Sequence, residues 1–132
     1  MTEKQVEQRL KRRIEKEIPG AKCIKFVSPG CRGVPDRIIL LPGGWVVFAE
    51  VKKPGEKPRQ TQLFMHERLR RIGFIVLGCV DSPSAVDVAV EVCKAVAAGW
   101  LHESGSGGED PVEREVMTND DLYSARVSAA LH

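Results

Sequence analysis

Three residues in the middle of the chain have the types and spacing that phosphodiester hydrolysis needs. Asp36 precedes one apolar run, and Glu50 and Lys52 lie two positions apart in the next one. If the turn between the runs is centred on Gly43, residues whose numbers sum to 86 pair across it, so that Asp36 faces Glu50. Directly paired side chains have Cβ atoms about 4.5–5.5 Å apart, and Lys52 projects from the same strand face as Glu50. The sequence therefore predicts two carboxylates and an ammonium group side by side.

These three side chains can perform metal-assisted chemistry. A hard cation held by oxygen ligands polarises a phosphoryl oxygen and lowers the pKa of a bound water. A lysine beside it can orient that water or stabilise charge on the phosphate. The alternative is an aspartate in a surface turn and a Glu/Lys pair on a solvated strand. Each piece alone favours that alternative, because Glu-x-Lys arises by chance at roughly one position in a few hundred. The common register across one hairpin favours the metal site.

A further carboxylate shares the core-facing stripe of the first predicted helix. Glu7 lies three residues before Leu10 and seven before Ile14, so it belongs to their helix face. A carboxylate at such a position needs a partner, and a metal ion or Lys52 can supply one. A surface pair between Glu7 and Lys11 remains an equally open interpretation.

The predicted helix that follows the Glu50 strand carries two glutamines near its start. Gln62 is in phase with Met65, Leu69 and Ile72, whereas Gln60 is not. We therefore expect Gln62 to point toward the sheet, near the end of the strand that carries Glu50.

The elements that must position these residues follow the order α-β-β-β-α-β-α. Thr2 and Gln5 have capping-box spacing, and the first helix ends at Pro19-Gly20. Pro42-Gly43-Gly44 predicts a hairpin turn. A strand, a helix and a strand in succession form a crossover, so part of the sheet should be parallel. The predicted strands are 22–28, 37–41, 45–53 and 74–80, and the later helices are 58–72 and 84–98.

Charge and composition divide the chain. Residues 1–73 carry 17 Lys/Arg and 8 Asp/Glu, whereas residues 74–132 carry 3 and 10. A positive first half suits a phosphate backbone, and a solvated helix face with an acidic tail is the equally open alternative. Residues 104–108 have the composition of a flexible linker. We expect a compact domain at 1–99, followed at 100–132 by a linker and an acidic C-terminal tail with a short helix.

Several other classes of protein are excluded by composition. No apolar run approaches the roughly 20 residues that cross a bilayer, and the first residues lack the apolar stretch of a secretory signal. We therefore expect a cytoplasmic protein without a membrane segment. The cysteines form no C-x-x-C pair and the histidines are scattered, which argues against zinc and HNH-type chemistry. These residues are Cys23, Cys31, Cys79, Cys93, His66, His102 and His132.

The order and spacing of these pieces resemble the virus-type replication-repair nuclease family (VRR-NUC), a branch of the PD-(D/E)xK nucleases. The resemblance covers about residues 2–82 and leaves out the tail. The matching pieces are Glu7 in the first helix, Gly33-Val34-Pro35-Asp36 before a strand, Glu50-Val51-Lys52 in the next strand and a glutamine in the following helix.

The resemblance implies an α/β fold with a restriction-endonuclease-like core, in which helices flank a mixed central β-sheet. It also implies dependence on Mg²⁺ or Mn²⁺. Asp36 and Glu50 would be metal ligands together with the Val51 carbonyl, and Glu7 would be an accessory ligand, directly or through water.

The same resemblance implies roles for the remaining residues and a substrate. Lys52 would be the catalytic lysine, and the glutamine of the pattern, with Gln62 in the required phase, would complete the catalytic group. The implied activity is structure-selective cleavage of DNA. Stand-alone phage and bacterial members of the family resemble Holliday-junction resolvases and tend to be homodimers.

The sequence thus predicts a metal-dependent DNA endonuclease that resolves Holliday junctions as a homodimer. Two symmetric cuts call for two sites, and a symmetric dimer of one-site chains supplies them. The last helix has a second apolar face, with Val88, Val92 and Val96, that we expect to contribute to the dimer interface. A flap or nick endonuclease of the same fold is the first alternative. A non-catalytic DNA-binding module is the second, but it need not keep Asp36, Glu50 and Lys52 together.

Overall fold

The computed structural model describes residues 1–99, and the predicted linker, acidic tail and short helix lie outside the described residues. The observed order is α-β-β-β-α-β-α, as predicted, and the fold class is confirmed. Within residues 1–99, no helix has the length and apolarity needed to cross a membrane. The elements are α1 Glu3–Glu17, β1 Lys22–Lys25, β2 Arg37–Leu41, β3 Trp45–Val51, α2 Gln60–Arg71, β4 Ile75–Val80 and α3 Pro83–Ala97.

The four strands form one mixed sheet in the order β1-β2-β3-β4. β1 pairs with β2 and β2 with β3 in antiparallel fashion, whereas β3 and β4 are parallel. In the hairpin, every pair from Arg37↔Ala49 to Leu41↔Trp45 obeys the register predicted from the turn. Gly43 and Gly44 both have positive φ, 90° and 82°, which is the conformation that a tight hairpin turn requires and that glycine adopts without strain.

The helices cover the sheet on both faces. α1 and α3 lie against each other, and their apolar stripes pack with Val47, Ala49 and Val51 of β3 in the main core. Side chains alternate along a strand, so Glu50 points to the opposite face, where α2 packs beside β4. Two ion-pair contacts link α1 with α3 at the surface, between Arg13 and Asp87 and between Glu17 and Lys94.

Local signals fix most of the helix boundaries. Thr2 Oγ1 accepts the N–H of Gln5, and Gln5 Oε1 accepts the N–H of Thr2, so the capping box of α1 is confirmed. α3 is capped by Ser82, whose hydroxyl accepts the N–H of Ala85 at 3.1 Å. α2 begins two residues later than predicted, at Gln60, because the proline at 58 precedes the helix and does not enter its first turn.

The buried face of α2 differs from the prediction. Met65 and Leu69 are half-buried and Ile72 is 60% exposed, whereas His66 is fully buried. The apolar residues alone predict the wrong centre for this face, because a polar residue, His66, occupies its middle and faces Glu50 of the sheet. Gln60 is exposed and Gln62 is half-buried, which agrees with the predicted phase of the two glutamines.

Candidate active site

The β2–β3 hairpin brings Asp36 to the end of β3. Asp36 lies one residue before β2, next to the last pair of the ladder. Its main-chain carbonyl accepts the N–H of Phe26 at 2.9 Å, and its Oδ1 accepts the N–H of Val51 at 3.0 Å. The carboxylate is therefore held at the peptide that follows Glu50. The hairpin register thus carries Asp36 to Glu50, as the sequence predicted.

Glu50 and Lys52 are charged side chains inside the protein. Glu50 is 3% exposed and Lys52 is 5% exposed. Lys52 Nζ lies 3.7 Å from Glu50 Oε2 and 3.8 Å from Glu56 Oε1. Glu56, in the loop after β3, was not identified from the sequence, because nothing in a loop of mixed charge singles out one carboxylate. The ammonium group of Lys52 lies between two carboxylates, one of them nearly inaccessible to water.

The electrostatics of the site favour a bound cation. Burial and, secondarily, the adjacent Glu50 carboxylate raise the pKa of Asp36 to about 7, against the opposing effect of the Val51 N–H. Glu50 Oε1 is buried and accepts no hydrogen bond from residues 1–99. Two carboxylates in mutual repulsion, one with an oxygen that lacks a donor, match the oxygen ligands that Mg²⁺ or Mn²⁺ takes. The residues present therefore fit a divalent cation.

Protein side chains alone do not complete such a site. Within the described part of the chain, no three His, Cys, Asp or Glu side chains are gathered closely enough to hold a metal ion. Asp36 and Glu50 form a pair, so the remaining ligands would be main-chain oxygen, water or substrate. Mg²⁺ commonly keeps several waters and binds through one or two carboxylates, and a two-carboxylate site is sufficient for it.

Glu7 lies elsewhere in this structure. Its Oε1 accepts from Nη2 of Arg37, whose side chain is 8% exposed and also donates to the Cys23 carbonyl. Arg37 pairs with Ala49 and shares its face of the sheet, the face that α1 covers. Glu7 therefore has the partner that its core-facing position demanded, and that partner is an arginine. The negative charge of Glu7 still contributes to the raised pKa of Asp36.

Gln62 lies in the first turn of α2 beside the loop that precedes Asp36. Its Oε1 accepts the N–H of Arg59 at 2.8 Å, which caps the helix. On the loop side, a Cβ at Gly33 would overlap the carbonyl oxygen of Thr61 and lie 3.1 Å from the main-chain nitrogen of Gln62. Glycine is required there, both for this close approach and for its φ of 81°. The loop and the helix start are thus fixed against each other.

His66 is a member of the site that sequence reasoning missed. Its ring is fully buried, and its Nε2 lies 3.6 Å from Glu50 Oε1. Neither ring nitrogen has a hydrogen-bond partner among residues 1–99 within normal bonding distance. The Glu50 oxygen that faces Nε2 also lacks a donor. The available signal was the spacing Gln62-x-x-x-His66, which places both side chains on one side of α2.

An irregularity in β4 makes room for this histidine. The parallel pairing changes register between Ala49↔Leu77 and Val51↔Val80, so β4 has an extra residue opposite Glu50. Bulges of this kind redirect side chains next to functional sites. A Cβ at Gly78 would lie 3.4 Å from His66 Nδ1 and 3.1 Å from Arg70 Nη2. The bulge and its glycine therefore leave space for the imidazole ring behind Glu50.

Two known proteins resemble this chain in fold or sequence. A solved structure described as a VRR_NUC domain superposes with a TM-score of 0.61 and is 34% identical, covering 69% of this chain and 97% of that one. A curated relative named "Putative nuclease p44", from Acyrthosiphon pisum secondary endosymbiont phage 1, is 53% identical over 58 residues, which are 44% of this chain. The match spans 62% of that relative's length. No protein-family profile matches the sequence.

Proposed function

The chain belongs to the VRR_NUC nuclease family, and on that premise we propose that it is a metal-dependent DNA endonuclease with Asp36, Glu50 and Lys52 at its active centre. One observation carries this proposal. Two carboxylates, Asp36 and Glu50, lie beside a buried lysine, and burial together with the Glu50 charge raises the pKa of Asp36 to about 7.

The chain's own residues divide the work. Asp36 and Glu50, with the Val51 carbonyl, would hold Mg²⁺ or Mn²⁺, and Glu7 would serve as an accessory ligand if it exchanged its contact with Arg37. The bound ion would supply Lewis acidity and a more acidic water. Lys52, held by Glu50 and Glu56, would stabilise the negative charge that the attacked phosphate gains. Its low exposure keeps that charge poorly screened by solvent.

A panel of single substitutions tests the active centre. Asp36→Asn, Glu50→Gln and Lys52→Ala should each reduce cleavage of DNA with Mg²⁺ or Mn²⁺ by at least a hundred-fold while the fold is retained. Lys53→Ala is the matched control, because this neighbouring lysine is 67% exposed and does not contact Glu50 in the structure. A folded Glu50→Gln variant that cuts DNA at the wild-type rate would exclude this active centre.

We further propose that the substrate is branched DNA and that a homodimer resolves Holliday junctions. Residues 1–99 of one chain provide one such site, and paired symmetric cuts need two. β4 is the outer strand of the sheet, with an apolar groove of about 350 Å³ between it and α3. Val88 in this groove is 47% exposed, whereas Val92 and Val96 are buried. The second apolar face of α3 is therefore narrower than the sequence suggested, and β4 completes it.

Light scattering and junction mapping separate the remaining alternatives. A homodimer that cuts opposing strands of a four-way junction symmetrically would support junction resolution. A monomer that cuts flaps or nicks and leaves junctions intact would contradict junction resolution but not the nuclease activity. Binding of DNA without cleavage under any divalent metal would identify a non-catalytic binding module instead.

A further inference from the structure

A second groove, outside the active centre, lies between the loop that leads to Asp36 and the start of α2. Its volume is about 590 Å³, within the range of ligand pockets. It is lined by residues 30–32 of the loop and by Gln60, Thr61, Phe64 and Met65 of α2. Because Gly33 packs directly on Thr61, the two walls of the groove are held against each other.

Phe64 lines this groove, and nothing in the packing of the described residues explains why its side chain is exposed. Its side chain is 64% exposed, although burying such a side chain contributes about 1.5–3 kcal/mol. The guanidinium carbon of Arg68, one helical turn further on, lies 5.6 Å from the centre of its ring. An exposed aromatic ring with an arginine over it is the arrangement on which unpaired bases stack in single-stranded nucleic acid binding.

The charges around the groove suit a phosphate backbone. None of the lining residues is acidic, and Arg32 lies in the loop wall. Between residues 57 and 72 the sequence has five Lys/Arg and one Glu. This glutamate, Glu67, forms an ion pair with Arg71, with 3.6 Å between Oε1 and Nε. Phe64 also borders a second depression of about 390 Å³, which is lined by Arg68, Arg71 and Ile72. Arginine side chains therefore line both depressions that the aromatic ring borders.

The position of the groove links it to the cut. Residues 30–32 end four residues before Asp36 along the chain, and Gln60 and Thr61 immediately precede Gln62. The Cα atoms of Arg32 and Asp36 are at most about 14 Å apart, because four residues of chain reach no further. A DNA strand with one phosphate at the carboxylate pair therefore has only a short distance to span to the groove. The groove and the active centre can thus engage one DNA strand.

We propose that this groove binds an unpaired nucleobase of the DNA substrate, which stacks on Phe64 while Arg32 and Arg68 contact the neighbouring phosphates. The proposal rests on the nuclease function proposed above and narrows its substrate to DNA in which a base beside the scissile bond is unpaired or becomes unpaired at a branch point. It predicts a preference for branched or frayed DNA without any contact to a specific base edge.

Fluorescence of 2-aminopurine tests the stacking directly. Full-length protein in EDTA, which prevents metal-assisted cutting, is titrated with a single-stranded oligonucleotide that carries one 2-aminopurine. Stacking should quench the probe, and Phe64→Ala should weaken binding about ten-fold and abolish the quenching, because one stacked base contributes about 1–3 kcal/mol. Phe64→Trp should keep both. Leu63→Ala is the matched control, because Leu63 is 47% exposed on the same helix but does not line the groove.

The possible results are distinct. Unchanged affinity and quenching in Phe64→Ala would overturn the base-stacking groove. A change from dimer to monomer in Phe64→Ala, with DNA binding intact, would overturn it in favour of an interface with a second copy. Neither result depends on catalysis, whereas cleavage by Glu50→Gln would refute the nuclease centre and leave the binding measurement untouched. With metal present, Phe64→Ala should slow cutting of an overhang substrate more than of blunt duplex.

Discussion

Replacing His66 tests whether the residue behind Glu50 contributes to metal binding. His66 Nε2 lies 3.6 Å from Glu50 Oε1, slightly beyond hydrogen-bond distance, so a small movement closes the contact. His66→Phe fills a similar volume and removes the donor. His66→Gln keeps an N–H at a comparable reach. The pair of variants therefore separates the loss of the donor from the loss of packing.

The magnitude follows from the position of the histidine. Groups that hydrogen-bond a metal-ligating carboxylate typically change metal affinity 10- to 100-fold when removed. Because this contact is long in the structure, we expect the lower end of that range. His66→Phe should weaken Mn²⁺ binding about ten-fold, or about 1.4 kcal/mol. His66→Gln should stay within about three-fold of wild type, since it restores a donor to the same oxygen.

Calorimetric titration with Mn²⁺, without DNA, measures this effect apart from catalysis. Thermal unfolding in EDTA confirms that each variant is folded at the titration temperature. The reasoning is refuted if His66→Phe binds Mn²⁺ as wild type does while Asp36→Asn loses binding. If Asp36→Asn also binds Mn²⁺ as wild type does, the proposed metal site is wrong, and the result for His66 no longer bears on it.

Three further predictions concern stability and the choice between the glutamines. In EDTA at pH 8, denaturant titration should show that Asp36→Asn has a higher free energy of unfolding than wild type, by about 1 kcal/mol or more. The substitution removes a buried charge beside Glu50 and keeps an oxygen that can accept the N–H of Val51. Gln62→Ala should reduce cleavage more than Gln60→Ala, and the reverse order would contradict the helix phase. Hydrogen bonds from Arg13 and then Lys94 lower the pKa of Glu17 to about 2. Glu17→Gln should therefore be less stable than wild type at pH 6, and thermal unfolding should show the gap closing as the pH falls from about 4.5 toward 2.

The sequence was most informative where the structure is local. The hairpin register follows from the glycine turn and the alternation of two short strands, so it placed Asp36 at Glu50 before any tertiary contact was known. His66 and Gly78 were missed because their roles arise only when the crossover brings α2 and β4 to the same strand. Nothing in the sequence distinguishes Arg37 from an ordinary strand residue, since its ion pair with Glu7 joins elements 30 residues apart.

The buried and exposed faces of α2 were also only partly predictable from its sequence. Its apolar phase predicted which glutamine is less exposed, but not the buried histidine, because a hydrophobic pattern gives no weight to a polar side chain that faces the sheet. The aromatic ring of Phe64 was passed over for the opposite reason. A phenylalanine in a helix is expected in the core, and only the structure shows it at the surface.

The two connections of β3 have a consequence for how the protein acquires its site. Asp36 and Glu50 meet through a turn of three residues, and hairpins close in about 1–10 microseconds. β4 reaches β3 only after the whole segment from Lys52 to Phe74 has closed, and such non-local parallel pairing is slow. We therefore expect a folding chain to form the repelling acidic pair before His66 arrives behind it. Metal ions present at that stage would act on the order of assembly as well as on the finished enzyme.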